Sequence, residues 1–259
     1  MRFLFALLLG FCGAGLATAG PLVEGGQATV TAIVDGDTVL LDGKIEGSNE
    51  VRLVGIQAPK LPLGRKGFKP WPLADKSKAM LEALVLGRTV TLKFGDNHMD
   101  RHGRLLAHLF VADGSWVQGA MLSGGMARVY SFADNRAAVI DMLALETKAR
   151  AAGLGIWGNP YYRLRKPDEL EQLIGTFQLV QGIVFDAVTV RGQTYLNFAE
   201  DWRQDFTITL DKRALTTFSD AGIDPLTFKG KLIRVRGWLK KRNGPMIEVS
   251  HSEQIEVLD

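Results

Sequence analysis

Residues 29–43 read TVTAIVDGDTVLLDG, and the architecture of the chain follows from this stretch. Its Val and Thr residues are β-branched and suit a pleated strand, while Asp35-Gly36 interrupts them with a turn dipeptide. Ala28 to Leu41 is therefore expected to form a hairpin. A third strand is expected from Glu50 to Ile56. It stops at Ala58-Pro59, because proline has no N–H to donate to a ladder.

Outward from this hairpin, Lys60 to Pro72 carries glycine, prolines and basic residues with Phe68 and Trp71, and reads as a loop. Leu73 to Leu86 places Met80, Leu81, Leu84 and Val85 at helical spacing and ends at Gly87. Strands are expected at Thr89 to Phe94 and Leu105 to Val111, joined across the turn 100–104. Helices are expected at Trp116 to Met126 and at Asp134 to Ala152, the second starting at an Asp-Asn cap and closing at Gly153. The sum is mainly β with helices: a small five-stranded barrel of the oligonucleotide/oligosaccharide-binding (OB) kind. From Gly175 onward the composition turns to β, with a short helix at Lys212 to Phe218 and a hairpin turn at Asn243-Gly244-Pro245. That strand count fits a second β-rich, OB-like domain.

Hydrophobic residues make up 46% of the 259 residues and charged ones 23%, which excludes a largely disordered chain. Arg2, the apolar run Phe3 to Leu16 and the small residues Ala17-Thr18-Ala19 read as a secretory signal over 1–19. The run is shorter than the roughly 20 residues that span a bilayer, so export to the periplasm or medium is expected, without stable membrane insertion. Cys12 is the only cysteine and would leave with the signal, so no disulfide is expected. The remaining boundaries fall at 20–160 for the first domain, 161–174 for a linker and 175–259 for the second domain. A formal charge of +3 is too mild to argue for nucleic-acid binding by itself.

Four pieces of the first domain belong together: Val34-Asp35-Gly36-Asp37-Thr38, Val51-Arg52-Leu53, Gln57-Ala58-Pro59-Lys60 and Asp100-Arg101-His102-Gly103-Arg104. A guanidinium is a planar fork of donors that matches two phosphate oxygens, so Arg52 and Arg104 are candidates to clamp a phosphate. Asp35 and Asp37 are the carboxylates that could hold a hard cation beside it. In order and spacing these pieces resemble the staphylococcal nuclease (thermonuclease) family, over Ala28 through Trp157. The resemblance implies a nuclease-type five-stranded barrel and calcium-dependent hydrolysis of DNA and RNA phosphodiesters. It assigns Asp37 as a calcium ligand, Asp35 as a carboxylate next to the metal, and Arg52 and Arg104 as the phosphate-binding, catalytic arginines. Two positions depart from the family. Gln57 stands where a second metal-binding aspartate is expected, and Lys60 where a glutamate acts on water.

Those departures make the site about three charge units more positive, which weakens calcium binding by Coulomb repulsion. A protonated lysine cannot accept a proton, and losing a positioned general base costs about 10² to 10⁴ in rate. Tyr130 and Trp71 are candidate substrate-binding aromatics, Tyr130 (with Phe132) beside the nucleotide and Trp71 in a basic, aromatic loop. Either could equally be core packing or loop anchors. Arg234, Arg236 and Trp238 alternate onto one strand face, either a nucleic-acid surface or a solvated one. Glu146 and Arg150 are spaced for helix-surface pairing. Three functions follow: an exported phosphodiesterase acting on nucleic acid with altered metal and base positions, a catalytically impaired nucleic-acid or polyanion-binding module, or an envelope interaction protein.

Overall fold

The structure, a computed structural model, describes residues 21–201 and 203–258. The expected signal, residues 1–19, lies outside them. In chain order the first half comprises β1 (Val23–Asp35), β2 (Thr38–Ile45), β3 (Ser48–Leu53), β4 (Gly55–Gln57), α1 (Ala74–Val85), β5 (Thr89–Met99), β6 (Leu105–Val111), α2 (Val117–Ser123), β7 (Arg128–Tyr130) and α3 (Val139–Ala151).

The sheet closes into a barrel in the order β1-β2-β3-β6-β5. β1 is long enough to serve two neighbours: residues 23–29 pair with β5 and 30–35 with β2. Register shifts within both pairings mark bulges, which bend a strand and let a five-stranded sheet curl shut. Alternate residues point inward, so Val30, Val39, Val51, Leu53, Leu92 and Leu109 are fully enclosed or nearly so. Leu81 of α1, Met121 of α2 and Met142 of α3 cover this core.

Two local differences from the sequence reading bear on the site. The strand expected from Glu50 to Ile56 is broken in two at Val54, where Gly55 takes φ 82°. A Cβ there would lie 2.3 Å from the Met142 side chain, so only glycine turns the chain this tightly. The turn sends β4 out of the barrel to pair with β7, a strand the sequence reading does not contain. The helix expected from Asp134 begins instead at Val139, after Ala138 in the left-handed region at φ 58°. Asn135 does not cap it. Its amide donates to the Asn97 carbonyl at 2.7 Å and ties the turn to β5.

The second half comprises β8 (Phe177–Ile183), β9 (Asp186–Val190), β10 (Gln193–Asn197), β11 (Thr207–Leu210), α4 (Lys212–Asp220), β12 (Leu232–Arg242), β13 (Gly244–Val249) and β14 (Ile255–Val257). β9, β10 and β11 form a meander, β11 runs parallel to β13, β13 pairs with β12, and β12 pairs with β8. β14 also pairs with β12, so the sheet has seven strands in the order β14-β12-β13-β11-β10-β9, with β8 on β12. It shares with the first half a parallel strand pair, here β11 with β13, and a helix ahead of the strands that complete the sheet, here α4. A separate core gathers Val180, Leu196, Phe206, Ile208, Phe218 and Val235.

Residues 161–174 are packed, not extended. Tyr162 is buried with its hydroxyl donating to the Pro72 carbonyl at 2.7 Å, and Leu170 belongs to the second core. The two halves also meet through buried charge. Glu146 of α3, with no exposed surface, accepts from Arg236 of β12 at 3.0 Å on each oxygen, from Arg150 at 2.8 Å and from the Val129 N–H at 2.6 Å. Arg236 also reaches Glu256 at 2.6 Å, and Glu256 accepts from Arg234 at 3.1 Å. Glu146 is thus a buried partner of the second sheet as well as of Arg150, and Arg234 and Arg236 are committed to acids instead of facing a ligand. Arg136 pairs with Glu253, and the Ser131 hydroxyl meets His251 at 2.8 Å.

Candidate functional site

Asp35 ends β1 and Asp37 precedes β2, with Gly36 between them. A Cβ on Gly36 would lie 2.1 Å from the Ser77 hydroxyl and 2.7 Å from Ala58, so the absence of a side chain lets α1 and the 57–60 segment close over the turn. The Asp37 N–H donates to Asp35 at 3.1 Å, and the Ala58 N–H donates to Asp37 at 2.7 Å. These bonds fix both carboxylates inside the protein, where Asp37 has no exposed surface and Asp35 almost none.

Lys60 fills the space the two acids enclose. Its ammonium lies 2.7 Å from both oxygens of Asp37 and 3.3 Å from Asp35. From the other side, Arg52 of β3 stands 3.1 Å from Asp37 and donates to the carbonyls of Asp37, Leu53 and Ile56 at 3.2, 2.9 and 2.6 Å. Two carboxylates thus face two cations. Burial opposes ionisation of Asp37, but Arg52 and Lys60 outweigh it and hold its carboxyl far below the usual range. Burial and the neighbouring Asp37 charge instead push Asp35 upward.

Arg104 is held by Asp100 at the far end of its turn. The Arg104 N–H and Nε donate to that carboxylate at 3.0 and 2.8 Å, and its terminal nitrogen lies 2.7 Å away. Arg52, Arg104, His102, Tyr130 and Phe132 line one cleft of about 590 Å³. Both arginines therefore border one open space whose wall carries Tyr130 and Phe132 beside Asp100 and Asp134, while the Arg52 guanidinium also holds Asp37 and three carbonyls and the Asp35–Asp37–Lys60 cluster lies outside the lining.

The other two expected site residues point elsewhere. Gln57 accepts from Arg128 at 2.6 and 3.0 Å, and its amide is spent on that buried guanidinium instead of turning to the acids. Trp71 packs on Tyr161 with ring centres 6.0 Å apart and lies 5.8 Å from Arg128. It does not line the cleft. Arg65 of the same loop caps the carbonyls of Leu61 and Pro62 and stacks on Phe68. Sequence reasoning gave no role to Asp100 or Arg128. The Asp at the start of the 100–104 turn is the available signal for the first; nothing local marks the second. Trp238, expected on a strand face with Arg234 and Arg236, donates its indole N–H to the Tyr130 hydroxyl at 3.0 Å.

The family described as Staphylococcal nuclease homologue matches residues 50–159. Protein ParB of Escherichia coli is 33% identical over 156 residues, covering 56% of this chain and 80% of its own length. This chain belongs to the staphylococcal nuclease family. A protein of Escherichia coli O157:H7 described as an uncharacterized endonuclease is 31% identical over 131 residues, which cover 50% of this chain and 76% of that protein. Endonuclease YhcR of Bacillus subtilis (strain 168) is 28% identical over 146 residues, covering 54% of this chain and 12% of its own. In this nuclease-family chain the matched segment contains Arg52, Gln57, Lys60, Arg104 and Tyr130. Asp35 and Asp37 precede it and are joined to it by the fold. The family as a whole is calcium-dependent. Among the described residues no three His, Cys, Asp or Glu side chains converge to hold a metal ion.

Proposed function

We propose that this chain is an exported phosphodiesterase acting on nucleic acid, in which the Lys60 ammonium takes the place of calcium. The observation that carries this reading is the ammonium's position between Asp35 and Asp37, 2.7 Å from the same oxygens a cation would need. Calcium requires six to eight oxygen ligands at about 2.3–2.6 Å. This donor set does not fit it: two acids already neutralised by two cations, and an amide turned to Arg128. Arg52 and Arg104 bind the phosphate oxygens, while the Lys60 charge offsets Asp35 and Asp37 so that a phosphate can approach.

Binding without cleavage is the second reading. It is favoured by three acids near the clamp: Asp35 and Asp37 are engaged by Lys60 and Asp100 by Arg104, so none of these three is free to take a proton from water. The experiment that separates the readings is cleavage of fluorescent single-stranded DNA and RNA by the mature protein, in calcium and in chelator, beside Arg52→Ala. Cleavage that persists in chelator and is lost in the variant supports the first. Salt-sensitive binding without cleavage, weakened in the variant, supports the second. Cleavage abolished by chelator contradicts the role given to Lys60.

A further inference from the structure

The phosphate cleft does not end at its aromatic wall. Tyr130 and Phe132 also border a smaller hollow of about 200 Å³, whose other walls include Phe177, Trp238 and Lys240 of the second sheet. Trp238 donates its indole N–H to the Tyr130 hydroxyl at 3.0 Å, which fixes one ring against the other across the junction. Tyr130 meets Phe132 edge-on at 4.8 Å and Phe177 at 5.1 Å, and Phe177 meets Trp238 at 6.1 Å. Within this strip Phe132 and Trp238 remain 47% and 41% exposed, large for aromatic rings so well anchored. Beyond Trp238 lies Lys240, which among the described residues pairs with Glu248 at the surface. Exposed pairs of this kind contribute little, so the ammonium is readily transferred to a phosphate.

We propose that the second sheet extends the substrate site: a single-stranded oligonucleotide held by a phosphate at Arg52 and Arg104 crosses Tyr130 and Phe132, lays a further base on Trp238, and brings its next phosphate to Lys240. This rests on the reading that the cleft binds nucleic acid. Single strands fit because an exposed ring stacks only on a base whose face is free. Arg234 and Arg236, on the same strand as Trp238, do not take part, since both are turned to buried acids. The consequence is a site longer than the nuclease barrel, with affinity that rises with strand length.

The test is fluorescence anisotropy with cleavage-resistant phosphorothioate single strands, one of two nucleotides and one of eight. Stacking on an aromatic ring is worth about 1–3 kcal/mol per base, so Trp238→Ala is expected to weaken the longer strand roughly tenfold and leave the shorter one unchanged. Trp238→Phe keeps a ring but loses the N–H to Tyr130, and is expected to restore most of the affinity. Lys240→Ala is expected to flatten the salt dependence for the longer strand alone. Wild-type affinity for both lengths in Trp238→Ala, or equal loss for both, overturns the extended site while leaving the Arg52–Arg104 clamp standing. If the wild-type protein binds neither length in a salt-sensitive way, the clamp and its extension fail together.

Discussion

At Lys60 a single residue decides what kind of ion sits between two buried carboxylates. Its ammonium is held 2.7 Å from Asp37 and keeps 20% of its surface exposed. Lys60→Ala leaves Asp35 and Asp37 as like charges in a dry turn, with Arg52 on one of them only. Removing one partner of a buried pair costs about 3–5 kcal/mol, and the partial exposure of Lys60 places this variant at the low end. Calcium is then expected to raise the melting temperature of Lys60→Ala and to leave that of the wild type where it is. A thermal melt in calcium and in chelator reads both. Equal stabilisation of the two proteins would contradict the assignment of Lys60 as the resident cation.

At the scale of elements, α3 is the piece on which both halves depend. Its Glu146 is enclosed by β7 and β12 and is answered by Arg236, itself 1% exposed. Arg236→Leu is expected to cost about 3–5 kcal/mol, because Glu146 and Glu256 both lose a buried counter-charge. Denaturant unfolding should then show two transitions where the wild type shows one. A single transition at the original midpoint would show that the network does not couple the halves. None of this is legible in the sequence, where Glu146 and Arg150 read as an ordinary (i, i+4) surface pair and Arg236 as one of a basic run. What the sequence does reveal is whatever depends on local pattern. The hairpin about Asp35-Gly36, α1 before Gly87 and α4 after Asp211 all have their cause within a few residues. The start of α3 does not, because Asn135 is drawn to the Asn97 carbonyl of β5 and not to its own helix. The site divides along the same line. Arg52 and Arg104 could be paired from motif spacing, but the engagement of Gln57 by Arg128 is a contact 71 residues apart.

For the whole molecule, two buried histidines set the response to acid. Burial depresses both His108 and His251 to about 4, with His251 enclosed between Ser131 and Ser250 and faced by Glu253 and Arg136. An unfolded histidine titrates near 6.5, so between pH 6.5 and 4 the unfolded chain binds two protons that the folded chain refuses. Stability is therefore fully present above pH 6.5 and is lost as the pH falls through that window, by about 1.4 kcal/mol per pH unit for each histidine. The urea midpoint is expected to fall between pH 7 and pH 5, and His108→Phe to remove part of that slope. A midpoint flat over this range would mean that neither ring is held neutral.

The clamp at Glu146 also has a consequence in time. A ribosome delivers residues in order, and everything needed to close the first barrel has emerged once α3 is made. Glu146 then has Arg150 and one backbone N–H, but its remaining partner is 90 residues away in the chain. The nascent first barrel must keep this acid hydrated, with the seam between β7 and α3 loose, until β12 arrives to seal it. The seam at Glu146 is therefore the last part of the first barrel to be sealed.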